Sequence, residues 1–303
     1  MFVEGGARYF GLFPDDDMEL GARVQGGAGV VRFCVRSADG KEELFRTDLP
    51  AEGEGEERLA TAAWRPGGLR ASRYRVRAEL LSGGAVADAL EHEVTVRHPR
   101  RPRFMTVKHG QFSLDGKPWY PHGVNYMPSS GIALDDGPMF EQWMSAASYD
   151  PEVIERDLAR VRAMKMNMVS IFIYTQAMRS RNLVDILNRC DAHGLKVNLS
   201  LRPGTPLDFE WPGIGDIIRL NRLSGDDTVF AYDLAWEPSW GGYAQRRRWD
   251  PQWARWIVER YGSIESAERD WGAPVPRADG AITGPSDADL ARDSRIPRVV
   301  AAY

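Results

Sequence analysis

Ala231-Tyr232-Asp233-Leu234-Ala235-Trp236-Glu237-Pro238 is the stretch on which the fold turns. It reads as an apolar strand that ends in a carboxylate, followed by a proline that cannot continue a helix. Trp236 and Trp240 flank the carboxylate. An apolar strand of this kind belongs to a parallel sheet covered on both faces. A carboxylate at its C-terminal end, walled by indoles, suits a general acid working on a sugar, because burial raises a carboxyl pKa and indole faces stack on sugar rings. The same placement also suits a glutamate that caps a helix or pairs with an arginine, and the local residues leave both open.

Outward from that strand, strands and helices alternate from residue 104 onward. Phe112 to Trp119 reads as a hairpin turning at Asp115-Gly116. Tyr120 to Tyr126 is expected as a first parallel strand, Met168 to Tyr174 as a second, Lys196 to Arg202 as a third and Val229 to Glu237 as a fourth. Asp150-Pro151-Glu152 opens a helix, with Asp as N-cap and Pro at the first helical position. Val153, Ile154, Leu158, Val161 and Met164 line one face of it. A further helix runs from Leu183 to Ala192 and stops at His193-Gly194. Asp250-Pro251 opens another, whose Trp253, Trp256 and Ile257 recur at the spacing of core residues. Repeated strand–helix units mean a parallel sheet, either doubly wound or a (β/α)8 barrel. No glycine-rich phosphate loop follows the first strand, so the dinucleotide-binding alternative lacks its signature. Asn125, Tyr126, Tyr174, Arg202 and Glu237 instead stand at successive strand ends, which in a barrel converge on one mouth. The expected fold is therefore a barrel.

The first hundred residues follow the other period. Tyr74, Val76, Ala78 and Leu80 alternate with Arg73, Arg75, Arg77 and Glu79, as in a half-buried antiparallel strand. Val31, Phe33 and Val35 repeat the pattern, and His92, Val94 and Val96 do so more weakly. Turn signals at Ala38-Asp39-Gly40, Pro66-Gly67-Gly68 and Ser82-Gly83-Gly84 separate them. Residues 1–98 thus read as a β-sandwich of immunoglobulin or fibronectin type, with arginines on a solvated outer face. Residues 99–103, within His98-Pro99-Arg100-Arg101-Pro102-Arg103, read as a stiff, solvated linker, and residues 104–303 as the barrel portion.

Composition excludes several classes. A net charge of −4 over 303 residues offers nothing to nucleic acid or anionic lipid. No apolar run is long enough to span a bilayer. The start lacks the basic and apolar regions of a signal peptide, which implies a cytoplasmic protein if Met1 is the true start. Cys34 and Cys190 fall in different segments, so no structural disulfide is expected. No Cys/His spacing calls for a metal, and no cofactor is expected.

His109-Gly110-Gln111-Phe112-Ser113-Leu114-Asp115-Gly116-Lys117-Pro118, followed by Gly123-Val124-Asn125-Tyr126, resembles the start of the barrel in clan A glycoside hydrolases. That clan includes cellulase-like and mannanase-like enzymes and the family 2 and family 42 β-galactosidases. Tyr232 to Pro238 resembles its fourth strand, where an Asn-Glu-Pro carries the general acid/base. Arg260-Tyr261-Gly262-Ser263-Ile264-Glu265 with Asp270-Trp271-Gly272 is similar to the segment that follows in family 42-like enzymes. The resemblance implies Glu237 as acid/base, Asn125 and Tyr126 at the mouth of the first strand, Tyr174, Arg202, Trp236 and Trp240 in contact with carbohydrate, and retaining chemistry on β-linked sugars. Trp236 departs from the clan's Asn, which contacts a sugar hydroxyl. The clan's nucleophile, a glutamate on the seventh strand, has no counterpart here. The chain therefore reads as a sandwich plus an incomplete barrel, a fragment whose partner is the missing C-terminal half and whose own hydrolysis is absent.

Two further classes remain open. One is a non-catalytic carbohydrate-binding protein, with Trp211, Trp236 and Trp240 as stacking platforms. The other is lyase or isomerase chemistry in the same barrel, although no metal set or strand-end lysine points to it.

Overall fold

The alternation of Tyr74 to Leu80 becomes the central strand of a five-stranded sheet. In the computed structural model, residues 2–26, 29–129, 143–145, 148–173, 181–201, 211–234 and 241–291 are described. They belong to two compact units, residues 1–203 with 210–236 and residues 204–209 with 237–303. The protein is β-rich and multidomain.

The N-terminal part of the first unit holds β1 (Phe2–Ala7), β2 (Gly11–Leu12), β3 (Met18–Gln25), β4 (Val30–Ser37), β5 (Glu43–Pro50), β6 (Glu57–Trp64), β7 (Arg73–Ser82) and β8 (Ala85–Val96). Two sheets result, β1-β3-β6 and β2-β8-β7-β4-β5. All pairs are antiparallel except β2 with β8. The inward residues of both sheets, among them Met18, Leu20, Val24, Phe33, Val76, Leu80 and Val94, share one core. Each large apolar side chain buried there contributes on the order of 1.5–3 kcal/mol. The outward arginines meet carboxylates on neighbouring strands, Arg32 with Asp48, Arg73 with Glu93 and Arg75 with Glu91. Such half-exposed pairs contribute little stability but keep the face solvated. β1 carries Gly5-Gly6, both at positive φ, and a Cβ at Gly6 would fall 1.8 Å from the His92 ring, which favours glycine there.

Three short strands follow, β9 (Thr106–Lys108), β10 (Gln111–Leu114) and β11 (Lys117–Pro118). Both connecting turns take two consecutive positive φ values, 50° and 75° at His109-Gly110 and 51° and 75° at Asp115-Gly116. Paired positive φ is the hairpin turn that matches strand twist. Phe112 and Trp119 pack edge-on against Phe230, with ring centroids 5.5 and 4.9 Å away.

The parallel sheet comprises β12 (Gly123–Asn125), β13 (Met168–Phe172), β14 (Lys196–Ser200) and β15 (Val229–Asp233), in the order β12-β13-β14-β15. Every strand is shorter than its sequence expectation. β12 begins at Gly123 rather than Tyr120, because Pro121 cannot donate to a ladder. β15 ends at Asp233, and Leu234 is already in a bend. The connecting helices are α1 (Pro151–Ala163), α2 (Asn182–Ala192) and α3 (Trp211–Leu220). Asp150 caps α1 by accepting from the amides of Glu152 and Val153 at 3.0 Å each. Ile154, Leu158 and Val161 are buried as expected, while Met164 at the helix end is exposed.

The second unit contains α4 (Tyr243–Arg246), α5 (Asp250–Tyr261), α6 (Ile264–Trp271), a ribbon of β16 (Arg277–Ala278) with β17 (Ala281–Ile282), and α7 (Asp287–Ala291). Trp253, Ile257, Ala267, Trp271 and Val275 form its core. Trp253 and Trp256 stack at 5.4 Å, and Tyr261 meets Trp271 edge-on at 5.6 Å, so these aromatics pack the fold.

Candidate functional site

The ends of the parallel strands are the candidate site. The register places Asn125, Ser170, Asn198 and Ala231 in one row and Phe172, Ser200 and Asp233 in the next. Successive residues of a strand point to opposite faces, so these side chains share one face of the sheet, and Tyr126, Ile171 and Leu199 share the other. The first face is polar: Asn198 donates to the Ser170 hydroxyl at 2.8 Å, and the fully buried Ser200 hydroxyl has no hydrogen-bond partner among the described residues. Sequence reading missed Ser170, Asn198, Ser200 and Asp233, although their alternation with buried apolar neighbours was visible.

Asn125 and Tyr126 part company. Asn125 is exposed at the end of β12. Tyr126 is only 5% exposed; its ring stands edge-on to Trp143 at 5.8 Å and its hydroxyl lies 3.5 Å from Asp157 of α1. Burial, with the Asp157 charge adding to it, pushes the phenol pKa well above its ordinary value, so the hydroxyl stays protonated. Tyr174, Arg202, Trp236, Glu237 and Trp240 lie outside the described residues. Trp211, at the start of α3, is 58% exposed.

A second polar cluster lies at the other end of these strands, around a cavity of about 450 Å³ lined by Phe13, Arg97, Arg100, Asn188, Asn221 and Asp226 among others. Arg97 grips Asp226 with two bonds of 2.6 and 2.5 Å and also reaches Thr228 at 2.7 Å and Asn188 at 2.9 Å. Arg100 pairs with Asp191 and Asp227, and the backbone amide of Arg103 donates to Asp227 at 2.7 Å. Burial works against ionisation of Asp227, but the Arg103 amide and the Arg100 guanidinium hold its carboxyl below the usual range. The basic segment expected as a solvated connector is thus fastened to the start of β15. Its partners stand about 90 and 130 positions along the chain, where no local pattern reveals them. Here guanidinium and carboxylate saturate one another, which suits a structural joint better than a reaction centre.

On α2, the wholly buried Asp185 accepts from Tyr149 at 2.5 Å, Thr95 at 2.6 Å and Arg189 at 2.7 Å. Arg189 continues to Glu155, which pairs with His193 at 2.8 Å. His193 therefore ends α2 as a structural residue. Cys34 and Cys190 are free and buried. Among the described residues, no group of three or more His, Cys, Asp or Glu is placed to hold a metal, and no helix is long and apolar enough to cross a membrane.

No family model and no curated protein matches the chain. Solved structures do overlap with it. A glycosyl hydrolase family 2 member from Bacteroides cellulosilyticus is 14% identical with a TM-score of 0.34, over 85% of this chain and 35% of that one. An FMN-binding beta-glucuronidase from Facaelibacterium prausnitzii is 14% identical with a TM-score of 0.32, over 85% and 37%. The beta-glucuronidase of Ruminococcus gnavus is 14% identical with a TM-score of 0.31, over 88% and 41%. The chain spans between about a third and two fifths of the length of these structures. At such scores the overlap assigns neither a family nor the role of any residue.

Proposed function

We propose that the chain is part of a retaining glycoside hydrolase acting on β-linked poly- or oligosaccharides, with Glu237 as general acid/base. The observation that carries this is the Trp236-Glu237-Pro238 motif. It begins three positions after Asp233, the last residue of the fourth consecutive strand in a sheet of strictly sequential order. Sequential parallel order is what the opening strands of a (β/α)8 barrel have, and a doubly wound sheet reverses direction instead. On this reading β12 to β15 are the first four strands of the barrel. Residues 1–98 are the β-sandwich ahead of it, and residues 99–103 the link between them.

Glu237, protonated at rest, gives its proton to the glycosidic oxygen as the nucleophile attacks the anomeric carbon. It then takes a proton from the incoming water. On this reading the nucleophile is a glutamate of a later barrel strand than β12 to β15, and hydrolysis requires that strand beside Glu237. Asn125, on the polar face, contacts substrate, as do Tyr174, Arg202, Trp236 and Trp240. Tyr126, bonded toward α1, holds the helix layer and reaches the sugar only indirectly. Two carboxylates and a water suffice for the reaction, so it needs no cofactor.

Carbohydrate binding without any catalysis is the second reading. The exposed indole of Trp211 and the Trp at position 236 favour it. The test is an assay of the intact gene product against aryl β-glycosides and β-linked oligosaccharides, with product configuration followed by NMR. Release of sugar with retained configuration is expected. Calorimetric binding with no release from any substrate moves the assignment to the binding reading.

A further inference from the structure

We infer that the N-terminal sheets and the parallel sheet of the first unit fold and unfold as one cooperative structure, with Asp185 as the residue that joins them. The inference is independent of the reaction proposed above.

Asp185 lies in the first turn of α2, the helix between β13 and β14. It is 0% exposed, and its three donors come from three separate segments: Thr95 from β8, Tyr149 from the approach to α1, and Arg189 from α2 itself. A carboxylate without solvent contact is tolerable only while such donors stay in place. Withdrawal of the N-terminal sheets removes Thr95 and leaves the charge short of a partner inside the α2 packing.

The surrounding contacts leave no room for a loose joint. A Cβ at Gly11 of β2 would lie 2.2 Å from the Asp185 amide nitrogen and 2.8 Å from the Val184 carbonyl carbon, so the backbones of β2 and α2 touch. The Phe10 amide donates to Asn182 on the same helix turn. Asn188, one turn further, donates to Thr95 at 2.9 Å and accepts from Arg97 at 2.9 Å. Interfaces between independently folded domains are polar but solvated. Here Asn182, Asp185, Arg189 and Thr95 are all buried. Polar groups this deep, paired across the boundary, make each side a condition for the other.

Hydrogen exchange of the intact chain, resolved by peptide mass spectrometry at neutral pH, tests this with three variants. Thr95→Val removes one donor at nearly constant shape. Asp185→Asn removes the charge. Val76→Ala opens a cavity in the β core, away from α2. Thr95→Val and Asp185→Asn are expected to speed the slowest amides of β7–β8 and of α2–β14 by the same factor, about tenfold or more. Val76→Ala is expected to act from the other side of the boundary, raising exchange in α2 as much as in β7. Should Asp185→Asn fail to fold, the other two variants decide. Unchanged protection of β7–β8 in Thr95→Val, or of α2 in Val76→Ala, would show two independent structures and overturn the inference.

Discussion

Replacing Arg97 by Met should cost far more than the loss of a surface ion pair. The Arg97 and Asp226 side chains are 13% and 4% exposed, and the guanidinium makes four hydrogen bonds of 2.5 to 2.9 Å to Asp226, Thr228 and Asn188. Met fills much of the same volume but leaves the Asp226 carboxylate in the interior without its cation. Breaking a buried pair from one side typically costs about 3–5 kcal/mol, against about 0–1 kcal/mol for an exposed pair. For a cooperative unit of roughly 200 residues each kcal/mol moves the melting temperature by about 2–4 °C, so the expected fall is about 6–20 °C. Asp226→Asn should cost a comparable amount by stranding Arg97, while its amide oxygen still accepts from the Thr228 backbone N–H, a bond of 2.9 Å. The double variant carries no stranded charge and should be less destabilised than the two single effects added together. Thermal and urea unfolding of the four proteins at one ionic strength gives the cycle. A loss below about 1 kcal/mol for Arg97→Met, or simple additivity, would refute the claim that this pair is a buried structural joint.

Other consequences are independent. Gly11→Ala should destabilise by about 1–3 kcal/mol, because the new methyl meets the backbone of α2, whereas Gly21→Ala, with nothing within 4 Å of its Cβ position, should be neutral or mildly stabilising in the same urea titration. Asp150→Ala should cost about 1 kcal/mol through the lost cap of α1. His92 accepts from the Ala7 amide through Nε2, and burial lowers its pKa to about 4 from an ordinary 6.5. The unfolded chain therefore binds its proton first as pH falls, so stability should drop between pH 6.5 and about 4. His92→Phe should remove about one proton from that pH slope; an unchanged slope assigns the acid sensitivity elsewhere.

The parts legible in the sequence are those with a local cause. The period of Tyr74 to Leu80 became β7, Asp150-Pro151 became the cap of α1, and Asp115-Gly116 became a hairpin turn. Trp253 and Ile257, spaced for a core, lie in one. The illegible parts depend on distant residues or on glycine. β1 carries Gly5-Gly6, a pair that reads as a break until His92 is seen packed against it. Asp185 looks like an ordinary acidic residue in a first helical turn, and its partners Thr95 and Tyr149 lie 90 and 36 positions away. Tyr126 was legible in principle, since its neighbour Asn125 must face the opposite way from it.

Leaving-group dependence tests most directly whether Glu237 protonates the departing oxygen. The intact gene product and its Glu237→Gln variant are compared on a β-linked disaccharide and on an aryl glycoside whose phenol leaves unprotonated. The disaccharide rate should fall by about 10²–10⁴ in Glu237→Gln, with a much smaller effect on the first bond cleavage of the aryl glycoside. Equal hydrolysis of the disaccharide by both proteins would contradict the assignment.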